Sequence, residues 1–128
     1  IGDHSADIAE IVEHLASGSY VPDKLKKMAE NVQHMVRDAV AAFVQHDTVL
    51  ANAVIAKDDE ADADFVSIRQ SIAAHIVKQP ADTDAALDSF MITKYLERIG
   101  DHATNIAEWA IYLSSGRHPR EIYLQDKQ

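Results

Sequence analysis

The chain contains no cysteine, which excludes a disulfide framework and any thiolate metal site. It has four glycines and three prolines, little material for turns, so a few long elements are expected rather than many short ones. Basic residues are scarce: 12 Lys and Arg against 21 Asp and Glu leave a formal charge of −9. That balance argues against a nucleic-acid binder, which would carry a basic face, and favours metal cations or basic protein surfaces as partners. No apolar run approaches the roughly 18 residues of a membrane span, and no signal-peptide pattern opens the chain, so membrane insertion is not expected and the cytoplasm is the expected location. No glycine-rich phosphate loop and no nucleophile motif occurs.

What the chain does have is helical periodicity. From Asp23 to about His46, the residues Leu25, Met28, Val32, Met35, Ala39 and Ala42 alternate by three and four, the seam of a packed helix. Pro22 suits the first turn of this helix and Asp47 the N-cap of the next. A second helix, from Thr48 to about Gln79, would be on the order of 45 Å long. Its seam of Phe65, Ile68, Ile72 and Ile76 runs back through Ala61, Asp58 and Val54, so the acidic run Asp58–Asp64 interrupts an otherwise apolar face. Pro80 ends this helix, and Asp82 or Thr83 caps a third that reaches Ser115. The seam of the third reads Ile92, Leu96, Ile99, Ala103, Ile106, Ala110 and Leu113, and Gly116 stops it. Short connections force consecutive helices to run antiparallel as neighbours. The fold expected is all-α, an antiparallel three-helix bundle.

An internal repeat extends the reading. Ile1-Gly2-Asp3-His4-Ser5-Ala6-Asp7-Ile8-Ala9-Glu10 falls, after a shift of 98 positions, on Ile99 to Glu108, with Ile, Gly, Asp, His, Ile, Ala and Glu matching; Leu15, Ser17 and Gly18 fall on Leu113, Ser115 and Gly116. Two copies with one stop signal indicate two copies of one structural unit. Residues 1–18 are therefore expected to be the last helix of a first repeat, 19–116 a second repeat, and 117–128 an irregular tail. The chain reads as the back half of a longer, duplicated protein.

Four carboxylates are the candidate chemistry. Glu97 and Asp101 share a strip of the third helix at i, i+4, more than 90° from the centre of its seam, and Asp58 and Asp62 repeat the arrangement on the second. Two antiparallel neighbours each presenting such a pair can build an oxygen-rich surface site for Mg²⁺, Mn²⁺ or iron. Like charges at this spacing repel by a few tenths of a kcal/mol unless a cation sits between them. The competing reading is a solvated acidic face. The seven histidines are scattered and form neither HExxH nor Glu-x-x-His, so a ferritin-like centre is not supported. His102 repeats His4, and a structural or supporting role is expected of it. Gly100 repeats Gly2; a glycine inside a helix costs about 1 kcal/mol relative to Ala, which points to close approach of a neighbouring helix or ligand. Trp109, Tyr95 and Tyr112 read as packing or interface residues.

The segment Leu96-Glu97-Arg98-Ile99-Gly100-Asp101-His102-Ala103-Thr104-Asn105-Ile106-Ala107-Glu108, with Tyr112-Leu113-Ser114-Ser115-Gly116 after it, closely resembles the signature of the PhoU family of phosphate-transport regulators. Asp58-Asp59-Glu60-Ala61-Asp62 resembles that family's second motif. The resemblance implies tandem three-helix bundles with metal clusters held by E/D-x-x-x-D motifs. Glu97 and Asp101 would form one motif and Asp58 and Asp62 the other. Asp3 would be the remnant of an incomplete first site. Iron, manganese, magnesium or zinc would be the metal. It further implies a non-enzymatic cytoplasmic adaptor between the phosphate ABC transporter ATPase and a sensor histidine kinase, repressing phosphate uptake and the phosphate-starvation response. A metal-binding bundle with a storage or catalytic role is the alternative, and a plain structural module a third. The apolar stripe Ile8, Val12 and Leu15 is expected to pair with a second copy in a homodimer.

Overall fold

The computed structural model describes residues 22–115. They form three long helices joined by short connections: α1 over Asp23–Gln45, α2 over Thr48–Lys78 and α3 over Thr83–Ser115, with a 3-10 turn at Pro80–Asp82 before α3. This is the all-α antiparallel bundle expected, and the helix bounds agree to within a residue. Residues 1–18, expected to be the last helix of a first repeat, and the tail, 117–128, lie outside the described residues.

Each junction has a local cause. Pro22 does not enter the first turn of α1. It stands at its N-cap with extended backbone, φ −62° and ψ 142°, where the missing N–H of proline is no loss. The α1–α2 connection is two residues long. His46 closes α1 in the left-handed region, φ 55° and ψ 38°, with its N–H on the carbonyl of Ala42, and the Asp47 carboxylate then accepts the N–H of Leu50 at 3.0 Å. Reversal by one left-handed residue followed by a carboxylate cap satisfies backbone groups of both helix ends. After α2, Thr83 Oγ1 donates to the Pro80 carbonyl at 2.6 Å, and Asp82 meets His75 Nε2 at 3.2 Å.

The core has two parts. Near the start of α1 it comprises Leu25, Met28, Ala29, Val32, Ile68, Ile72, Ala86 and Leu96, with Phe65 and Phe90 packed against it, their ring centroids 6.1 Å apart. At the other end, Met35, Ala39, Ala42, Ala51, Val54, Ala61, Ala103, Ala107 and Ala110 are buried together. Every seam residue expected on α1 is buried.

On α3 the buried stripe is rotated from the one read in the sequence. Ala86, Ser89, Thr93, Leu96, Gly100, Ala103, Ala107 and Ala110 line the interior, Ile92, Ile99 and Ile106 flank it, and Leu113 is half exposed. The reason is steric. α3 packs against both α1 and α2, and small residues at the line of closest approach let it sit in the groove between them, so the branched side chains move to the flank. Thr93 satisfies its buried hydroxyl by donating to the Ser89 carbonyl at 2.8 Å.

Candidate metal centre

The rotation of α3 sets the geometry of the acidic site. Residues 97, 101, 104 and 108 form one strip on this helix, and it lies at the α2-facing edge of the buried stripe. It is therefore nearer the core than the sequence seam implied: Glu97 and Thr104 are half-buried and Glu108 is buried. On α2, Asp58 lies on the packing seam itself, as the interrupted pattern required, and is half-buried, while Asp62, one turn on, is exposed.

The two helices bring Asp58, Asp62 and Asp101 together, with one oxygen from each lying within 4.8 Å of the others. Burial, then the charges of Asp62, Asp101 and Asp59, push the Asp58 carboxyl up to about 6, against a hydrogen bond to Thr104 that lowers it. Asp62 is also raised, first by burial and then by Asp101 and Asp59. Every charge acting on this pair is another carboxylate. The Thr104 hydroxyl also stands 3.1 Å from the Gly100 carbonyl. Its single proton serves one acceptor at a time, so the support it gives Asp58 is partial.

Glu97 is not among the mutually close oxygens. It lies one turn from Asp101 and lines, with Lys94, Tyr95, Arg98 and Asp101, an open groove of about 300 Å³. The structure thus gathers three of the four candidate ligands and leaves the fourth beside them. Asp3 lies outside the described residues. His102 is exposed on α3, next to Asp101 in sequence. Gly100 is buried on the packed stripe, and a methyl group there would meet Val32 Cγ2 at 3.8 Å, an ordinary contact, so the approach of α1 at this point does not require a glycine.

Two acidic residues not singled out in the sequence are also buried. Glu108 ends the α3 strip, and Asp64 lies on α2 with its Oδ2 buried and unpaired. Thr104 was missed as well. Its position three residues after Asp101 is the only sequence sign that it belongs to the strip.

The donor set suits a hard or borderline cation. It is all oxygen, anionic and shared between two helices. An octahedral ion with ligands at about 2.1 Å spans roughly 4.2 Å between opposite oxygens, so small side-chain rotations bring all three carboxylates into one coordination sphere. A cation there would also relieve the repulsion that raises Asp58 and Asp62. Two of the three ligands are exposed and the neighbouring groove is open, unlike the enclosed, water-controlled pockets in which substrates are turned over.

The fold and site together define a class: an acidic three-helix bundle with a carboxylate cluster shared by consecutive helices. Residues 25–110 match the PhoU domain. The chain is 34% identical over 131 residues to a phosphate-specific transport system accessory protein PhoU homolog of Aquifex aeolicus, covering 99% of this chain and 58% of that protein. A protein of the same description from Pseudomonas putida is 31% identical over 128 residues, with 98% and 50% covered. One from Clostridium acetobutylicum is 29% identical over 119 residues, with 91% and 54% covered. The chain belongs to the PhoU family. It spans about half the length of these relatives. Among the described residues no helix is long and apolar enough to cross a membrane.

Proposed function

We propose that this chain is part of a regulatory adaptor of phosphate homeostasis. In this reading it docks on the phosphate ABC transporter ATPase and on a sensor histidine kinase in the cytoplasm, and it represses phosphate uptake and the phosphate-starvation response. The relatives' description as accessory proteins of the phosphate-specific transport system supports the setting. The observation that carries the reading is the trio of half-buried Asp58 and exposed Asp62 and Asp101, a surface suited to a cation or to a basic partner and not to enclosed catalysis. No reaction is assigned to the chain.

A metal ion belongs to the same proposal. Asp58, Asp62 and Asp101 would hold iron, manganese, magnesium or zinc, with Glu97 completing the set from one turn away. The ion would supply a fixed positive charge bridging α2 and α3. Self-association, expected from the sequence, would draw on apolar surface away from the carboxylates.

Two measurements on purified chain test the proposal. Pull-down with the transporter ATPase and with the kinase should retain the wild type, and loss of both interactions would remove the adaptor role. Elemental analysis of wild type beside Asp62→Ala/Asp101→Ala should show near-stoichiometric cation in the first and none in the second. No metal in either, even after incubation with divalent cations, would return the trio to a solvated or docking face. Turnover by the wild type that disappears in Glu97→Ala would favour the storage or catalytic alternative.

A further inference from the structure

On the flank of α2 that meets α1, away from the acidic trio, the two helices leave a pocket of about 230 Å³ between them. Its floor is apolar: Met35 and Val54 line it and are each 1% exposed, with Ala53 at the open rim. The rest of its lining is polar. Asn31, His34 and Asp38 stand along one edge of α1 at i, i+3 and i+7, and Lys57 joins them from α2. A small concave site with an apolar base and a few convergent polar groups is the usual form of a recognition pocket.

The pairing of these polar groups is uneven. Lys57 Nζ meets Glu60 on its own helix at 3.2 Å and not Asp38. Among the described residues, no hydrogen bond or ion pair engages Asn31, His34 or Asp38. Asn31 and Asp38 are nevertheless half-buried, and a partly desolvated carboxylate without a partner is unfavourable. The pocket therefore holds one uncompensated negative charge beside two further groups that can accept a hydrogen bond.

We propose that this pocket receives one basic side chain, a lysine or an arginine, of a protein partner. The cationic head donates to the Asp38 carboxylate in charge-assisted hydrogen bonds, with Asn31 Oδ1 and a ring nitrogen of His34 as further acceptors. Its methylene stem lies on Met35 and Val54, as such stems do on apolar surface. The chemistry selects against other ligands. An anion would meet Asp38, and the charge of Lys57 is already balanced by Glu60. A free polyamine would bring a second ammonium for which the pocket has no second unpaired carboxylate. A formal charge of −9 on the chain also draws basic surfaces toward it. The pocket shares no residue with Asp58, Asp62 and Asp101, so the inference stands apart from the metal and adaptor readings.

The test is a titration of the full, isotope-labelled chain, followed by two-dimensional NMR. The probe is N-acetyl-lysine methylamide at up to about 50 mM, a range that covers weak single-side-chain binding. N-acetyl-norleucine methylamide serves as the uncharged control and putrescine as the free polyamine. The expected result is saturable shifts of the Asn31 side-chain amide and of the His34, Asp38 and Val54 backbone amides. Affinity should fall about tenfold in Asp38→Asn, the loss of one charge-assisted contact, and stay unchanged in Asp88→Asn, an exposed carboxylate on α3. Ala53→Leu, which covers the pocket from its exposed rim, should remove the shifts and decides the matter if Asp38→Asn misfolds. Absence of saturable shifts at these positions would overturn the proposal. So would equal binding of the norleucine probe, or wild-type affinity in Asp38→Asn. Putrescine binding more tightly than the lysine probe would give the pocket to a free polyamine and overturn it as well.

Discussion

Gly100 shows how a residue can be placed by its chain and still be misread. A glycine deep inside a helix, repeated at Gly2, reads as a site of close approach. Yet a methyl there would sit 3.8 Å from Val32 Cγ2, in ordinary van der Waals contact. Gly100→Ala should therefore stabilise the chain by about 1 kcal/mol through helix propensity, visible as a rise in Tm of about 4 °C by differential scanning calorimetry. A fall in Tm would show that something besides Val32 needs the space. The signal that failed was backbone cost, because it says that a glycine is unfavourable but not what, if anything, it accommodates. Asp58 was more legible. It falls on the apolar seam of its helix, and a carboxylate at a packing position is bound to be partly desolvated. That Thr104 would supply its hydroxyl was not legible, since nothing along α2 encodes which residue of α3 comes level with it.

Between elements, α2 and α3 act as a pair of electrodes of one sign. The carboxyl of Asp58 is raised from 3.8 to about 6 by burial and by its acidic neighbours. A carboxyl whose folded value lies above its unfolded value stabilises the fold fully below the unfolded value, and that contribution is lost as pH rises through the folded one. In metal-free buffer the wild-type Tm should therefore fall relative to Asp58→Asn as pH rises from about 4 to about 7, the two converging at the acid end. Parallel curves over this range would mean that the Asp58 carboxylate is already compensated. The helix bounds were almost wholly legible, because Pro22, Asp47, Pro80 and the apolar seams act locally. The rotation of α3 was not. Its isoleucines Ile92, Ile99 and Ile106 make up much of the sequence seam, but packing against two neighbours at once moves them to the flank. Gly100, Ala103, Ala107 and Ala110 take the interior.

At the scale of the whole molecule, the chain carries a formal charge of −9, and self-repulsion lowers the stability of the compact state. The screening length falls from about 30 Å at 0.01 M salt to about 8 Å at 0.15 M, so added sodium chloride over that range should raise Tm by a few degrees in scanning fluorimetry. A flat response would show that the acidic residues are neutralised within the fold. The sequence by itself determined the helices, their order and antiparallel course, the acidic character of α2 and α3, and the family resemblance. All of these follow from local propensity, caps, short loops and motif spacing. Only the tertiary structure decided which carboxylates meet: Asp58, Asp62 and Asp101 converge while Glu97 stands aside. It also decided which apolar side chains stay at the surface. Both depend on the axial register and rotation of α3 against its neighbours. Those are set by the steric fit of small and large side chains across two interfaces at once, a property of no single stretch of chain.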